Sequence, residues 1–410
     1  MRLLVVSQYF SPENFRINDL VAGLMARGHQ VTVLTGQPNY PQGRFFAGYG
    51  WLGPRHETLF GAEVVRVPLI PRGTGGGLRL MLNYLSFVVT GIWGALFRLR
   101  GGFDAIFVFE VSPVTVGIPA IVASRRFRAP VLFWVLDLWP ESLEATGAVR
   151  HRGVLALVGR GVRWIYRRCA RVLVASQAFV PSVVEFGAHP ADVRYFPNWV
   201  EGDYRAEADG ELPALPAGFL VVFAGNLGAA QDLPAVIRAA AATRDLSDVH
   251  WVFAGDGRMA AWAREEVSRL SLGDRVHFLG QLPSAKMPAL FARAGALLVS
   301  LRSEPIFAKT VPGKVQSYMA SGRPVLAMLD GEGARLVEEA GCGLACVAGD
   351  AEALAAHVRT LRGLSEVQRE ALGRAGREYA DAHFDRDRLF DQLIGWIDEV
   401  VREQACSKTS

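Results

Sequence analysis

The chain has 410 residues, half of them apolar, with 44 basic against 40 acidic residues and a net charge of +4. That length exceeds what one hydrophobic core serves and the composition excludes a disordered chain, so two globular domains are expected. Cys169, Cys342, Cys346 and Cys406 form neither a CxxC pair nor a disulfide framework, which points to a reducing compartment with no structural metal and, given the modest charge, no nucleic-acid partner.

The N-terminus, MRLLVVSQYF, enters a strand-like run without the charged, apolar and small-residue regions of a signal peptide, so a cytoplasmic location is expected. Short β-branched runs then alternate with helical stretches, the pattern of parallel sheets covered on both faces. Strands are expected at RLLVVSQ, QVTVLT, EVVRVP, AIFVFE, PVLFWVLD and RVLVASQ. Between the first two, Ile17, Leu20, Val21, Leu24 and Met25 keep a helical period that Gly28 closes. Residues 36–63 form a long irregular stretch. Its aromatics, Tyr40, Phe45, Phe46, Tyr49 and Trp51, argue against disorder and suit a loop folded over the mouth of a cleft.

Charge is unevenly placed: residues 1–200 hold 21 Arg against 11 acidic residues, a net of +10, which leaves −6 for the remainder. Two segments in the basic half bear on its meaning. Residues 80–97, LMLNYLSFVVTGIWGALF, are uncharged and would extend roughly 27 Å as a helix, marginal against a hydrocarbon core of about 30 Å. Asn83, Ser86, Thr90 and Gly94 fall on one face, which suits a helix packed on protein on one side and touching lipid on the other; a buried core helix is the competing reading. Residues 150–172 place Arg150, Arg152, Arg160, Arg163, Arg167, Arg168 and Arg171 among apolar and aromatic residues, as in a membrane-surface helix. A solvated helix face explains the same pattern, but the two segments together favour peripheral attachment.

Residues 198–218, rich in Gly, Pro and acids, read as an interdomain linker, after which strands resume at FLVVFAG, HWVFAG, RVHFLG, ALLVSL, PVLAML and GLACV. A last helix, about residues 385–403, has no strand partner and can cross back to brace the first domain. Two doubly wound domains in series place ligands beyond the carboxyl ends of their strands.

Several residues there carry chemistry. Gly225, Asn226, Leu227 and Gly228 follow an apolar strand and precede a helix starting near Asp232, where backbone amides and a helix N-terminus can meet a phosphate; a tight turn is the plain alternative. The run is neither a Walker A loop nor a GxGxxG fingerprint. Lys314 lies in the first turn of a helix opened by Pro312 and Gly313, where a cation opposes the helix dipole unless an anion compensates. Lysine is also scarce, with Lys286, Lys309, Lys314 and Lys408 against 40 Arg. Glu304 and Asp137, the latter with Glu141 four residues on, each follow an apolar strand. Such acids commonly cap turns, but one from each domain could hold the hydroxyls of a sugar.

Taken together, YFSPENFRINDL, QPNYPQG, VLDLWPESLEATG, FAGNLGAAQDL, FAGDGR, VHFLGQLP and SEPIFAKTVPGKVQSYMASGRPVLAML resemble a family 4 glycosyltransferase over about residues 1–390. Within it, the phrases PENFRINDL, PNYP, DLWPESL and PGKVQSY are similar to those of bacterial O-antigen and capsule N-acetyl-L-fucosamine transferases. The resemblance implies a GT-B fold: two Rossmann-like α/β domains of doubly wound parallel sheet facing across a cleft, an N-terminal acceptor domain (1–197) and a C-terminal nucleotide-sugar domain (219–384). It implies that Gly225, Asn226, Leu227, Gly228 and Gln231 lie by the donor diphosphate, with Asp256 and Arg258 nearby. Leu279, Gly280, Gln281 and Leu282 would lie by the base, and Glu304, Ile306, Phe307 and Ala308 by the sugar. Lys314 would neutralise the leaving diphosphate in place of a metal, and Glu13, Asn14, Phe15, Arg16, Asn39, Tyr40 and Glu141 would line the phosphate or acceptor side.

Two departures stand out. The family's glycine pair after the first strand is replaced by Glu13, Asn14 and Phe15, leaving Arg16 to meet phosphate. The family's two glutamates seven residues apart are not intact: Ser317 stands at the second place and Glu304 lies further upstream. The implied reaction is retaining, metal-independent transfer from a nucleoside diphosphate sugar, preferably UDP-linked, with no other cofactor. Its acceptor would be a polyprenyl diphosphate-linked glycan at the cytoplasmic face of the inner membrane, with Glu304 and Asp137 as catalytic residues. A nucleotide-sugar epimerase and a non-catalytic nucleotide-sugar-binding subunit are the alternatives.

Overall fold

The computed structural model describes residues 1–73, 76–145, 147, 149, 151–201 and 212–409. Arg150 and residues 202–211 of the expected linker lie outside the described residues. The chain divides into two compact units, Met1–Pro197 with Asp387–Ser410, and Asn198–Arg386.

The first unit is built on an eight-stranded sheet: β1 (Arg2–Val6), β2 (Gln30–Gly36), β3 (His56–Leu59), β4 (Ala62–Val67), β5 (Ala105–Glu110), β6 (Val131–Val135), β7 (Arg171–Val174) and β8 (Val193–Tyr195). The order is β3-β4-β2-β1-β5-β6-β7-β8, parallel throughout except for the β3/β4 hairpin. β5 and β6 are buried along their whole length, which is why they read as unbroken apolar runs. Residues 36–63, expected to be irregular, thus contain a strand. β3 is HETL with its side chains alternating exposed and half-exposed, so it carries no apolar period that sequence could reveal.

The helix Gly77–Phe97 lies against this sheet by its polar line. Asn83 accepts from Gln8 Nε2 at 2.7 Å and donates to the Ile70 carbonyl at 2.6 Å, while Thr90 donates to the Pro68 carbonyl. A Cβ at Gly94 would collide with Val67 and Leu34, so the close approach requires glycine. The opposite face leaves Leu78, Met81, Leu85, Val89, Trp93 and Phe97 exposed.

The basic segment forms the helix Arg152–Tyr166, which buries Val162, Ile165 and Tyr166. Arg171, expected on its cationic face, is instead buried at the start of β7, bonded to Asp192 at 3.0 Å and Glu403 at 2.5 Å. Glu403 belongs to the last helix, Arg386–Thr409, whose Asp387 and Asp391 also bind Arg27 at 2.8 Å each.

The second unit holds β9 (Phe219–Ala224), β10 (Val249–Ala254), β11 (Val276–Gly280), β12 (Ala296–Ser300), β13 (Val325–Met328) and β14 (Gly343–Cys346), all parallel, in the order β11-β10-β9-β12-β13-β14. Phe219, Val221 and Phe223 enter one core layer, and Leu220, Val222 and Ala224 the other. The strand order reverses between β1 and β5 in the first unit and between β9 and β12 in the second. Each reversal leaves a crevice at the carboxyl ends of the strands, the position at which such sheets take ligands.

Candidate active site

In the second unit, the segment after β9 turns at Gly225 (φ 124°), and Leu227 N donates to the Asp256 carbonyl at 2.9 Å. The loop after β10 packs directly against it: a Cβ at Gly255 would overlap the Gly225 carbonyl, and one at Gly257 the Leu227 carbonyl. Gln231 Oε1 accepts from Gly228 N at 3.1 Å and fixes the turn into the helix Leu233–Ala242. That helix starts one residue past Asp232, which adopts a left-handed backbone and provides no side-chain cap.

Lys314 stands in the first turn of the helix Gly313–Ala320. Its Nζ lies 3.6 Å from the centre of the Phe223 ring, and a Cβ placed on Gly225 would come within 3.1 Å of it. No carboxylate pairs with it among the described residues. Burial without a counter-charge pulls its pKa from 10.5 down to about 7. Tyr318, one turn on, accepts from Ala224 N at 3.0 Å and donates to the Ala224 carbonyl at 3.2 Å, tying this helix to the end of β9. The structure therefore brings Lys314 and the Gly225–Gly228 turn together at the β9/β12 reversal.

Glu304 follows β12 on the other side of that reversal. It occupies the residue ahead of the helix Pro305–Lys309, yet its side chain does not cap that helix. Its carboxylate is half-exposed, with Arg302 at 3.9 Å. Arg302 N and Ser300 Oγ donate to the carbonyls of Ala230 and Gln231, joining the β12 end to the β9 turn. Ile306, Phe307 and Ala308 lie in the short helix and are half-buried, and a Cβ at Gly331 would overlap the Ala308 carbonyl. Ser317 Oγ makes a long 3.4 Å bond to the Gly313 carbonyl, so it is weakly held. Gly280 accepts from Gly255 N at 2.7 Å, while Gln281 and Arg258 are exposed; Leu279 and Leu282 are half-buried beside the core. Asp256 accepts from the neighbouring Gly257 N.

In the first unit, Asp137 follows β6 and accepts from Trp139 Nε1 at 3.1 Å and from Ser142 Oγ. Burial raises its pKa against these hydrogen bonds. Beneath it lies Glu110, the last residue of β5, which sequence reasoning missed because it ends an apolar run. Glu110 is fully buried and accepts from the amides of Leu136 and Asp137 at 3.4 and 3.3 Å; its Oε1 has no partner. Burial, reinforced by Asp137, holds its pKa well above the ordinary carboxylate value and favours the protonated form. Glu141 Oε2 and the Tyr166 hydroxyl are also buried without partners among the described residues.

Glu13 is buried, and its carboxylate accepts from the amides of Asn39 and Tyr40 at 2.8 and 2.7 Å and of Phe10 at 3.2 Å. It thus clamps the loop after β1 to the loop after β2 instead of offering a free carboxylate, and burial raises its pKa to about 7. Asn14 is exposed, and Arg16 begins the helix Arg16–Ala26. Phe15 stacks on Tyr9 at 4.9 Å and lies 5.2 Å from Tyr40, over which Arg72 sits at 5.1 Å; Asn39 Oδ1 accepts from Arg72 N. Arg72 was not legible in the sequence, since its partners, Tyr9, Asn39 and Tyr40, come from the two separate loops after β1 and β2.

Comparison with known proteins agrees with this division. Residues 14–199 match the glycosyl transferase 4-like domain, and residues 218–363 match the glycosyl transferases group 1 domain. The chain is 26% identical over 97% of its length to the putative colanic acid biosynthesis glycosyl transferase WcaI of Escherichia coli K12, all of which it covers. It is 26% identical over 66% of its length to the probable glycosyltransferase WbjE of Pseudomonas aeruginosa, covering 69% of that protein. Among solved structures, Anabaena HepE in complex with UDP superposes with a TM-score of 0.70 at 16% identity, covering 97% of this chain and all of that one. WaaG, a glycosyltransferase involved in lipopolysaccharide biosynthesis, gives 0.66 at 14% identity, with 97% and 99% covered. The chain belongs to the family 4 glycosyltransferases of GT-B fold.

Proposed function

We propose that this glycosyltransferase moves a sugar from a UDP-linked donor onto a polyprenyl diphosphate-linked glycan in the synthesis of a bacterial surface polysaccharide. N-acetyl-L-fucosamine or a related N-acetylated deoxysugar is the expected group, on the PENFRINDL, PNYP, DLWPESL and PGKVQSY phrases. The observation that carries the reading is Lys314, a partly buried ammonium beside a glycine turn with no carboxylate partner among the described residues. An anion there satisfies the cation and the turn at once. HepE, a structural neighbour, holds UDP and UDP-glucose, in keeping with a uridine donor.

In this reading the bond from the anomeric carbon to the diphosphate breaks first, and the leaving oxygen's charge is met by Lys314 in place of a metal ion. The acceptor hydroxyl attacks from the same face, so configuration is retained, and its proton passes to the departing phosphate. Glu304, left free by the helix it precedes, accepts hydrogen bonds from donor hydroxyls. Asp137, whose amide is seated on the buried Glu110 carboxyl, orients the acceptor.

The protein works as a peripheral enzyme on the inner face of the cytoplasmic membrane. The exposed apolar face of the helix Gly77–Phe97, with Arg98 stacked on Trp93 at 4.7 Å, suits burial in the interfacial layer while the polar face stays on the sheet. Purified protein given lipid-linked acceptor and a panel of UDP- and GDP-sugars should release UDP only when both substrates are present. Release of no nucleotide from any pair would overturn the reading, and product from donor alone would indicate an epimerase.

A further inference from the structure

The strands of the second unit have a second end. Gly218, Gly295 and Pro324 come just before β9, β12 and β13, and with the first turn of the helix Glu366–His383 they enclose a hollow of about 330 Å³. The strands run five or six residues, so the hollow lies on the order of 20 Å from the Gly225 turn.

Four guanidinium groups line it: Arg293, Arg323, Arg362 and Arg369. Arg362 is neutralised by Asp248, bonded at 2.9 and 3.0 Å. The others have no carboxylate partner among the described residues. Arg323 donates to the Ala292 carbonyl, Arg369 donates through Nη1 to the Leu364 carbonyl and, at 3.5 Å each, to those of Leu361 and Arg362 while lying 5.8 Å from the Phe219 ring, and Arg293 is exposed with no side-chain partner among the described residues. Behind them, Arg377 donates to the Ser321 carbonyl at 3.0 Å but leaves its buried Nε unpaired. Burial depresses Arg323 from its ordinary value, Glu370 and Glu366 opposing and Arg377 and Arg369 adding to the effect. Glu366 and Glu370 stand exposed at the wall and pair with none of these cations within 4 Å.

Guanidinium groups that line one hollow, pair with no carboxylate and keep N–H groups beyond those given to backbone carbonyls can grip a phosphate, and two unpaired carboxylates are acceptors for hydroxyl groups. We propose that this hollow binds a phosphate monoester of a polyhydroxylated molecule, with the phosphate on Arg293, Arg323 and Arg369 and the hydroxyls on Glu366 and Glu370. The two carboxylates limit the net positive charge and so disfavour polyanions, while the volume accommodates a phosphorylated monosaccharide. The site is separate from the donor site and does not depend on the assignment of the acceptor.

Calorimetric titration of the full chain with glucose 6-phosphate, inorganic phosphate and glucose tests it. Glucose 6-phosphate should bind at least about tenfold tighter than either half alone. Arg293→Glu, at an exposed position where folding is undisturbed, should weaken that binding by about tenfold or more, as should Arg323→Gln, whereas Lys314→Ala should leave it unchanged. Equal binding by the wild type and Arg293→Glu would overturn the proposal. Loss of binding in Lys314→Ala would move the ligand to the donor site and overturn it too, and phosphate binding as tightly as the ester would remove the role of Glu366 and Glu370.

Discussion

The ammonium of Lys314 sits 3.6 Å from the centre of the Phe223 ring, with no carboxylate near enough to pair with it among the described residues. The ring face offers some compensation, but burial still brings the pKa to about 7. Half the free protein is therefore uncharged here at neutral pH, and an arriving diphosphate restores the charge. At pH 8, UDP binding should take up about 0.9 proton per site, seen as a dependence of the calorimetric heat on buffer ionisation enthalpy. Lys314→Met should abolish the uptake and weaken UDP far more than uridine; unchanged uptake would refute the assignment.

The same group gives a stability slope. Because the folded pKa is depressed, the unfolded state binds the extra proton between about pH 7 and the ordinary lysine value of 10.5. Stability of the ligand-free protein contributed by this residue therefore rises over that window and is lost as pH falls through 7. Melting temperatures of wild type and Lys314→Met should converge above about pH 10.5, separate as pH falls toward 7 with the variant higher, and keep that difference below 7.

Glu304 is half-exposed and caps nothing, so Glu304→Ala should leave the melting temperature close to that of the wild type. If it holds donor hydroxyls in the transition state, turnover should fall by about 100-fold or more. A stable variant with near-normal turnover would remove it from the reaction.

Glu110 titrates the other way. Its folded pKa is raised, so its contribution is complete at acid pH and is lost as pH rises through that value. Glu110→Gln keeps the shape and neutrality; it should match the wild type below about pH 4.5 and become increasingly the more stable of the two as pH rises above it. Glu110→Ala leaves the amide of Asp137 unsatisfied, while that of Leu136 keeps its bond to the residue 110 carbonyl, and should cost about 1–3 kcal/mol. A Gln variant as impaired as the Ala variant would mean that the carboxylate charge itself is needed.

Leu85→Glu and Val89→Glu change only the exposed face of the helix Gly77–Phe97 and should leave the circular dichroism spectrum intact. Each should markedly reduce cosedimentation with vesicles containing anionic lipid, and wild-type binding should weaken with added salt. Binding that neither change affects would place the membrane contact elsewhere.

What sequence reveals depends on where each interaction lies along the chain. The six strands of the second unit are short runs dominated by apolar residues, and all six form. β3 and β8 are short edge strands without an apolar period, so HETL and VRY read as loop. The glycine turn and Lys314 are each visible as motifs, but their contact joins residues 89 positions apart. Glu110 reads as the polar end of a buried strand; its meaning appears only once β6 lies beside β5 and presents the Asp137 amide. Arg171 misled for the converse reason. It stands in a cationic run, yet its acid, Glu403, comes from the far end of the sequence.

That last pairing bears on how the protein is made. The first unit is interrupted by the whole of the second and completed only by the helix Arg386–Thr409, which buries Leu389, Phe390, Leu393 and Ile397. During synthesis the second unit has all its strands before the first has its final helix, so it can finish folding earlier. The N-terminal sheet, though translated first, waits with an apolar surface uncovered until the last stretch of the chain emerges.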